Sequence, residues 1–128
     1  MTRLEHVNLT VRDPRATADW MADLFGWRIR WDGDAIKGGH TIHIGTEEDY
    51  LALYTGPDGG LNLMPADENY LRRGGLNHVG VVVAELDATL AKVRAAGFET
   101  YSHADYAPGR RFYFRDRDGI EFEVVSYA

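Results

Sequence analysis

Apolar and polar residues alternate from residue 4 to residue 11, with His6, Asn8 and Thr10 on one side and Val7, Leu9 and Val11 on the other. That period of two predicts a half-buried strand. Asp13-Pro14 then offers a helix cap followed by a residue whose missing N–H costs nothing in the first turn. Trp20, Met21, Leu24 and Phe25 form an apolar stripe, and Gly26 is placed to end the helix. Alternation returns where Trp27, Ile29 and Trp31 oppose Arg28 and Arg30. Gly38-Gly39 turns the chain into a strand over His40–Gly45, and a further strand is predicted over Asp49–Thr55. The first half reads βαβββ.

The second half repeats the order. Strands are predicted over Leu76–Ala84, Phe98–His103, Arg110–Asp116 and Ile120–Tyr127, the last two joined by the hairpin pair Asp118-Gly119. Leu86, Leu90 and Val93 mark a helix that stops at Gly97. The residues repeat too. Leu4-Glu5-His6-Val7-Asn8-Leu9-Thr10-Val11 recurs as Leu76-Asn77-His78-Val79-Gly80-Val81-Val82-Val83, and Ala16-Thr17 maps onto Ala88-Thr89. One residue then drops out, and Gly26 meets Gly97. The chain is expected to be one domain over 1–128 built from two copies of a unit, module one at about 1–56 and module two at about 76–128. Between them, 56–75 reads as a polar linker of about twenty residues, long for a compact domain. A substrate-covering lid and a plain connector both remain open.

Composition narrows the function. A hydrophobic content of 45% with 27% charged residues is that of an ordinary globular protein, long enough for a real core. The net charge of −6 argues against nucleic acid and anionic membranes, which call for a basic face. No apolar run reaches membrane-spanning length, and Met1–Val11 lacks a signal pattern. The absence of cysteine excludes disulfides and thiolate chemistry. A cytoplasmic protein is expected.

A histidine at the same strand position twice suggests a site. In Glu121-Phe122-Glu123-Val124, Phe122 and Val124 face one way, Glu121 and Glu123 the other. A carboxylate on an otherwise apolar strand costs free energy unless water, a cation or a donor satisfies it. Two neutral imidazoles and one carboxylate leave open positions on a divalent metal, an arrangement suited to Fe(II) or Mn(II). Duplication copies a structural histidine just as readily, and Glu123 would also suit a solvated edge with Glu121 as its exposed neighbour. The residues alone leave both readings open.

The two βαβββ units, their first-strand histidines and the run Phe112-Tyr113-Phe114-Arg115-Asp116-Arg117-Asp118-Gly119-Ile120-Glu121-Phe122-Glu123 resemble the vicinal oxygen chelate superfamily. That superfamily includes glyoxalase I, fosfomycin-resistance thiol transferases, bleomycin resistance proteins, methylmalonyl-CoA epimerases and type I extradiol dioxygenases. The resemblance spans essentially the whole chain, and its motifs mark the superfamily without marking one activity. It implies an α+β fold with two βαβββ modules in tandem, forming a curved mixed sheet around a central cavity and completed as a homodimer. It also implies His6, His78 and Glu123 as ligands of a divalent metal ion (iron, manganese, nickel or zinc), drawn from one chain or from two.

The family's fourth ligand falls at Ala52, where glyoxalase I carries Glu and the epimerases Gln. Alanine cannot ligate, which weakens both activities. The remaining set of two His and one Glu resembles the fosfomycin enzymes and the extradiol dioxygenases. Both keep a tyrosine near the metal that Tyr113 matches, making Tyr113 the catalytic candidate beside its plainer reading as an aromatic on the sheet face. Asn8 replaces a threonine of the fosfomycin enzymes, and the loop Ser102–Ala107 lacks their lysine. Two units are also fewer than the four of a classical extradiol dioxygenase.

The resemblance therefore implies a small metal-dependent enzyme with dioxygenase-like or lyase/transferase chemistry, holding a small-molecule substrate through adjacent oxygens. Tyr50, Ala52 and Tyr54 are expected in the substrate pocket. His43 joins them as a substitute acid–base group or a plain surface histidine, and Arg111 as a partner for an anionic group or a solvated strand residue. Of the wider aromatic set, Trp27 and Trp31 suit the core as well as a pocket, and Tyr106 belongs with them. The competing functions are a metal-free, bleomycin-resistance-like protein that sequesters a small aromatic compound and a glyoxalase I-like lactoylglutathione lyase.

Overall fold

The side chain of Asp13 accepts the Ala16 amide, Pro14 fills the first helical turn, and Gly26 leaves the helix at φ 71°. Helix α1 therefore runs Pro14–Phe25, bounded as its punctuation predicts. It belongs to a computed structural model that describes residues 1–59 and 66–128. Around α1 the first unit places β1 (His6–Thr10), β2 (Arg28–Asp34), a short 3-10 turn at Ile36–Gly38, β3 (His40–Gly45) and β4 (Tyr50–Thr55). The sheet order is β1-β4-β3-β2, with β1 parallel to β4 and the other pairs antiparallel.

The second unit repeats it. It contains α2 (Ala66–Asn69), β5 (Val79–Val82), α3 (Leu86–Ala95), β6 (Thr100–Tyr106), β7 (Gly109–Arg115) and β8 (Glu121–Ser126). Its sheet order is β5-β8-β7-β6, with β5 parallel to β8. The two compact units span Met1–Asn62 and Leu63–Ala128. The architecture is the tandem βαβββ arrangement expected. No helix among the described residues is long and apolar enough to cross a membrane.

Each unit buries one sheet face under one helix. In the first, Ala18 and Met21 of α1 meet a core of Ile42, Ile44 and Leu53, all at most 1% exposed. In the second, α3 contributes Val93, and the sheet contributes Phe112, Phe114, Phe122 and Val124, each 0% exposed. Burial of one such phenylalanine stabilises by roughly 1.5–3 kcal/mol, so these four strand residues hold the alternation of β7 and β8 in place. The repeated Thr17 and Thr89 are buried as well, their amides donating to Asp13 and Glu85 at the two helix starts.

Several expectations change. β5 begins at Val79, so His78 immediately precedes the strand rather than lying inside one over Leu76–Ala84. The Trp27–Trp31 alternation is interrupted by a bulge between Ile29 and Trp31. Trp31 is 47% exposed and is no core residue. β6 continues to Tyr106 after its own irregularity between Tyr101 and Ala104. The expected linker carries α2, and its residues 60–65, on which the lid reading depends, lie outside the described residues.

The β7–β8 hairpin has its own lock. Asp116 Oδ1 accepts the amides of Asp118 at 2.9 Å and Ile120 at 3.0 Å, and Gly119 turns at φ 77°. Oδ2 is buried without a hydrogen-bond partner among the described residues. Burial pushes the Asp116 carboxyl up from 3.8 to about 6, against the backbone donor at Ile120 that favours its anion. Between about pH 4 and 6 the folded chain thus binds more protons here than the unfolded chain, so this group's contribution to stability falls as pH rises across that window. Denaturant unfolding at several pH values should show that slope and its loss in Asp116→Asn. Asp116→Ala, which strands two amides, should cost about 1–3 kcal/mol.

Candidate functional site

Strand parity sets the second unit's polar face. With Phe122 and Val124 turned under α3, Glu121 and Glu123 project from the opposite side of β8. Neither is a solvated edge residue, because β8 runs between β5 and β7. Glu121 is only 6% exposed, which corrects its reading as an exposed neighbour, and it is satisfied by two phenols. The Tyr101 hydroxyl donates to Oε1 at 2.6 Å, and the Tyr70 hydroxyl donates to Oε2. Glu123 is equally well held on one oxygen: Tyr113 donates to Oε2 at 2.6 Å and Arg111 at 3.1 Å.

The other oxygen of Glu123 takes no hydrogen bond from the described residues and lies 3.8 Å from His78 Nε2. Burial raises the Glu123 carboxyl, but the Tyr113 and Arg111 hydrogen bonds and the nearby His78 outweigh it and hold the group below the usual carboxylate range. The same contact pushes Tyr113 up to about 12, chiefly through the hydrogen bond to Glu123 and then through burial. Tyr113 is therefore a neutral donor at physiological pH. His78 Nδ1 meets the Tyr70 hydroxyl at 3.1 Å, with Glu121 Oε2 3.7 Å away.

The first unit presents a different face. His6 stacks on Tyr50 at 4.8 Å, Tyr50 on His43 at 4.5 Å, and His43 leans against Trp31 at 5.2 Å. The Arg30 guanidinium lies 4.5 Å from the Tyr50 ring centre. His6 Nδ1 is 2.9 Å from Glu5 Oε1, which also accepts the Tyr50 hydroxyl at 3.2 Å. These hydrogen bonds, from His6 first and Tyr50 second, lower the Glu5 carboxyl. His43 is lowered in turn, by burial first and then by the nearby His6 and Arg30 side chains.

Beside this column opens a cavity of about 740 Å³, lined by Trp31, Ile36 and Tyr54, with His43 and the charged Asp34 and Lys37 among its polar points. Gly39 passes directly under Tyr54, where a Cβ would come within 2.5 Å of the ring. A side chain there would also meet the Thr55 carbonyl oxygen, so both the Tyr54 ring and the β4 backbone would have to shift.

Register makes the two units comparable position by position. Asn8, Ala52, His43 and Trp31 form one cross-strand row, and Gly80, Glu123, Tyr113 and Tyr101 form its counterpart. Ala52 thus stands in the first unit where Glu123 stands in the second, and His43 where Tyr113 stands. Ala52 is 2% exposed and offers no donor atom.

Of the predicted site residues, the second unit brings together His78, Glu123, Tyr113 and Arg111. The first brings together His6, Tyr50 and His43, with Tyr54 and His43 on the cavity. Tyr106 is 61% exposed, with the Arg111 guanidinium 5.0 Å from its ring centre. Among the described residues there is no group of three or more His, Asp or Glu arranged to hold a metal ion. Two of the three expected ligands nevertheless fit a shared cation, His78 Nε2 and the free oxygen of Glu123, a borderline nitrogen beside a hard anion. Sequence reasoning missed Tyr70 and the roles of Glu5, Tyr101 and Glu121. Only Glu121 carried a signal, through its parity with Glu123.

The chain matches the Glyoxalase/Bleomycin resistance protein/Dioxygenase superfamily over residues 3–124. It belongs to that superfamily. No curated protein matches it in sequence. Among solved structures, the superfamily domain from Frankia sp. EAN1pec is 23% identical, with TM-score 0.80 and 98% of both chains covered. The fosfomycin resistance protein FosX of Listeria monocytogenes is 19% identical, with TM-score 0.74, over 98% of this chain and 93% of that one. TnmS3, an antibiotic binding protein from Streptomyces sp. CB03234, is 16% identical, with TM-score 0.71, over 100% and 98%. At these identities the likeness is one of fold, and the superfamily contains both catalysts and binders.

Removing Arg111 should leave Glu123 with Tyr113 as its one remaining donor. Arg111→Ala should lower the midpoint of chemical denaturation, by less than loss of one partner from a wholly buried pair would. An unchanged midpoint would mean that the carboxylate is solvated in solution.

Proposed function

We propose that this superfamily member is a divalent-metal-dependent enzyme whose ligands are His6, His78 and Glu123. The supporting observation is the pairing of His78 Nε2 with the unbonded oxygen of Glu123 at 3.8 Å, in a carboxylate whose other oxygen is already satisfied. A divalent ion bound there would supply Lewis acidity and hold a substrate through two neighbouring oxygens. Structures of Listeria FosX that contain Mn(II) make manganese the first ion to try, with iron, nickel and zinc behind it.

Tyr113, neutral and tied to Glu123, keeps the carboxylate in one rotamer and places a phenol at the reaction centre. Arg111 balances the Glu123 charge, so its first task is internal rather than substrate recognition. Ala52 removes the carboxylate that glyoxalase I-like proton transfer would use. The reading therefore favours dioxygenase-like or transferase chemistry on a small molecule. A single domain working as a cytoplasmic homodimer goes with it. The free edges of β1 and β5 support pairing, since each is the outer strand of its sheet, with Val7 37% and Val82 64% exposed.

A second reading rests on the first unit's cavity. Its volume lies within the roughly 300–1,000 Å³ of small-molecule sites, and Trp31, Ile36 and Tyr54 give it an apolar wall beside a few polar groups. A metal-free protein that sequesters an aromatic compound would use that cavity and nothing else.

Elemental analysis of untagged protein separates the two. About one ion per subunit, lost in both His78→Ala and Glu123→Ala, is expected for the enzyme. No metal and no uptake on reconstitution would overturn it in favour of the binder. In that case Trp31→Ala should weaken ligand binding measured by fluorescence, and chelator should leave binding unchanged.

A further inference from the structure

Tyr70 and Glu121 have no part in the ligand set, yet together they determine which nitrogen of His78 carries the proton. A phenol has one proton to donate, and Tyr70 gives it to Glu121 Oε2. The Tyr70 oxygen, 3.1 Å from His78 Nδ1, can then only accept from that nitrogen. Glu121, 3.7 Å from Nδ1, and Glu123, 3.8 Å from Nε2, pull on the two nitrogens about equally, so the Tyr70 contact decides between them. The neutral imidazole is thereby held as the Nδ1–H tautomer, and the lone pair on Nε2 faces Glu123.

The first unit reaches the same result with different parts. Glu5 Oε1 lies 2.9 Å from His6 Nδ1 and also accepts the Tyr50 hydroxyl, so the carboxylate oxygen accepts and Nδ1 donates. Tyr50 steadies Glu5 through its hydroxyl and the His6 ring by stacking. In the duplicated frame Glu5 answers to Asn77, and Tyr50 to Glu121. The two clamps were not copied from one another. Two unrelated solutions that leave Nε2 unprotonated on both repeated histidines point to a requirement at Nε2.

We propose that Tyr70–Glu121 and Glu5–Tyr50 are positioning clamps that fix His78 and His6 in the Nδ1–H tautomer and so deliver both Nε2 atoms as ligands. This rests on the reading of the two histidines as metal ligands, and it adds what keeps them competent before any metal arrives. Outer partners of this kind typically contribute about 10- to 100-fold in metal affinity.

The tautomers can be read in the metal-free full chain by long-range ¹H–¹⁵N correlation of the imidazole nitrogens, at a pH where both rings are neutral. Protonated Nδ1 and unprotonated Nε2 are expected for His6 and His78. In Glu121→Leu, Tyr70 regains its proton for His78 Nδ1, so His78 should move to Nε2–H while His6 stays. Glu5→Ala should move His6 and leave His78. Mn(II) titration should weaken about 10- to 100-fold in Glu121→Leu. Nε2–H in the unaltered protein, or a His78 tautomer unmoved by Glu121→Leu, would overturn the proposal. The wild-type spectrum decides even if a variant folds poorly. Expected tautomers that shift in the variants, together with no Mn(II) uptake, would support the clamps and sink the ligand reading instead.

Discussion

A slip of one residue in β8 would drive Glu121 and Glu123 under α3 and turn Phe122 and Val124 outward. Everything at the candidate site hangs on that parity. It is enforced from the apolar side, by Phe112, Phe114 and Phe122 packed without exposure, and from the hairpin, where Asp116 holds the turn that feeds β8. The polar side could not enforce it, since two carboxylates on one strand face are a cost. Four donors offset that cost, two phenols on Glu121 and a phenol with a guanidinium on Glu123.

This bears on how the carboxylates should be read. A carboxylate on an apolar strand invites a cation as explanation, but Glu121 is fully accounted for by Tyr70 and Tyr101. Glu123 differs because only one of its oxygens is occupied. The oxygen left over faces the Nε2 atom of His78 at 3.8 Å.

The two units have diverged along the same rows of the same sheet. Where the second has Glu123 beside Tyr113, the first has Ala52 beside His43, and His43 lines the cavity. The second unit holds an acid and its donors in this row, and in the first unit Asn8, His43 and Trp31 of the row line the cavity. The first-unit column of Trp31, His43, Tyr50 and His6 runs from cavity to histidine, so a compound seated there would lie close to His6.

The order of elements, the ends of α1, the duplicated histidine and the opposed faces of β8 were all legible in the amino-acid sequence, because each depends on local periods and local caps. A period of two assigns faces, Asp13-Pro14 starts a helix, and Asp118-Gly119 turns a hairpin wherever they occur. Partners across strands and from connecting segments are not periodic. Nothing near Tyr70 in the chain announces that its hydroxyl reaches Glu121, and nothing in Trp27–Trp31 shows the bulge that turns Trp31 to the cavity. His43 gained its meaning only from the register that sets it against Ala52. The sequence by itself determined which residues could do chemistry and which way they point. The tertiary structure decided what satisfies them, because hydrogen-bond partners are chosen by register and packing over long stretches of chain.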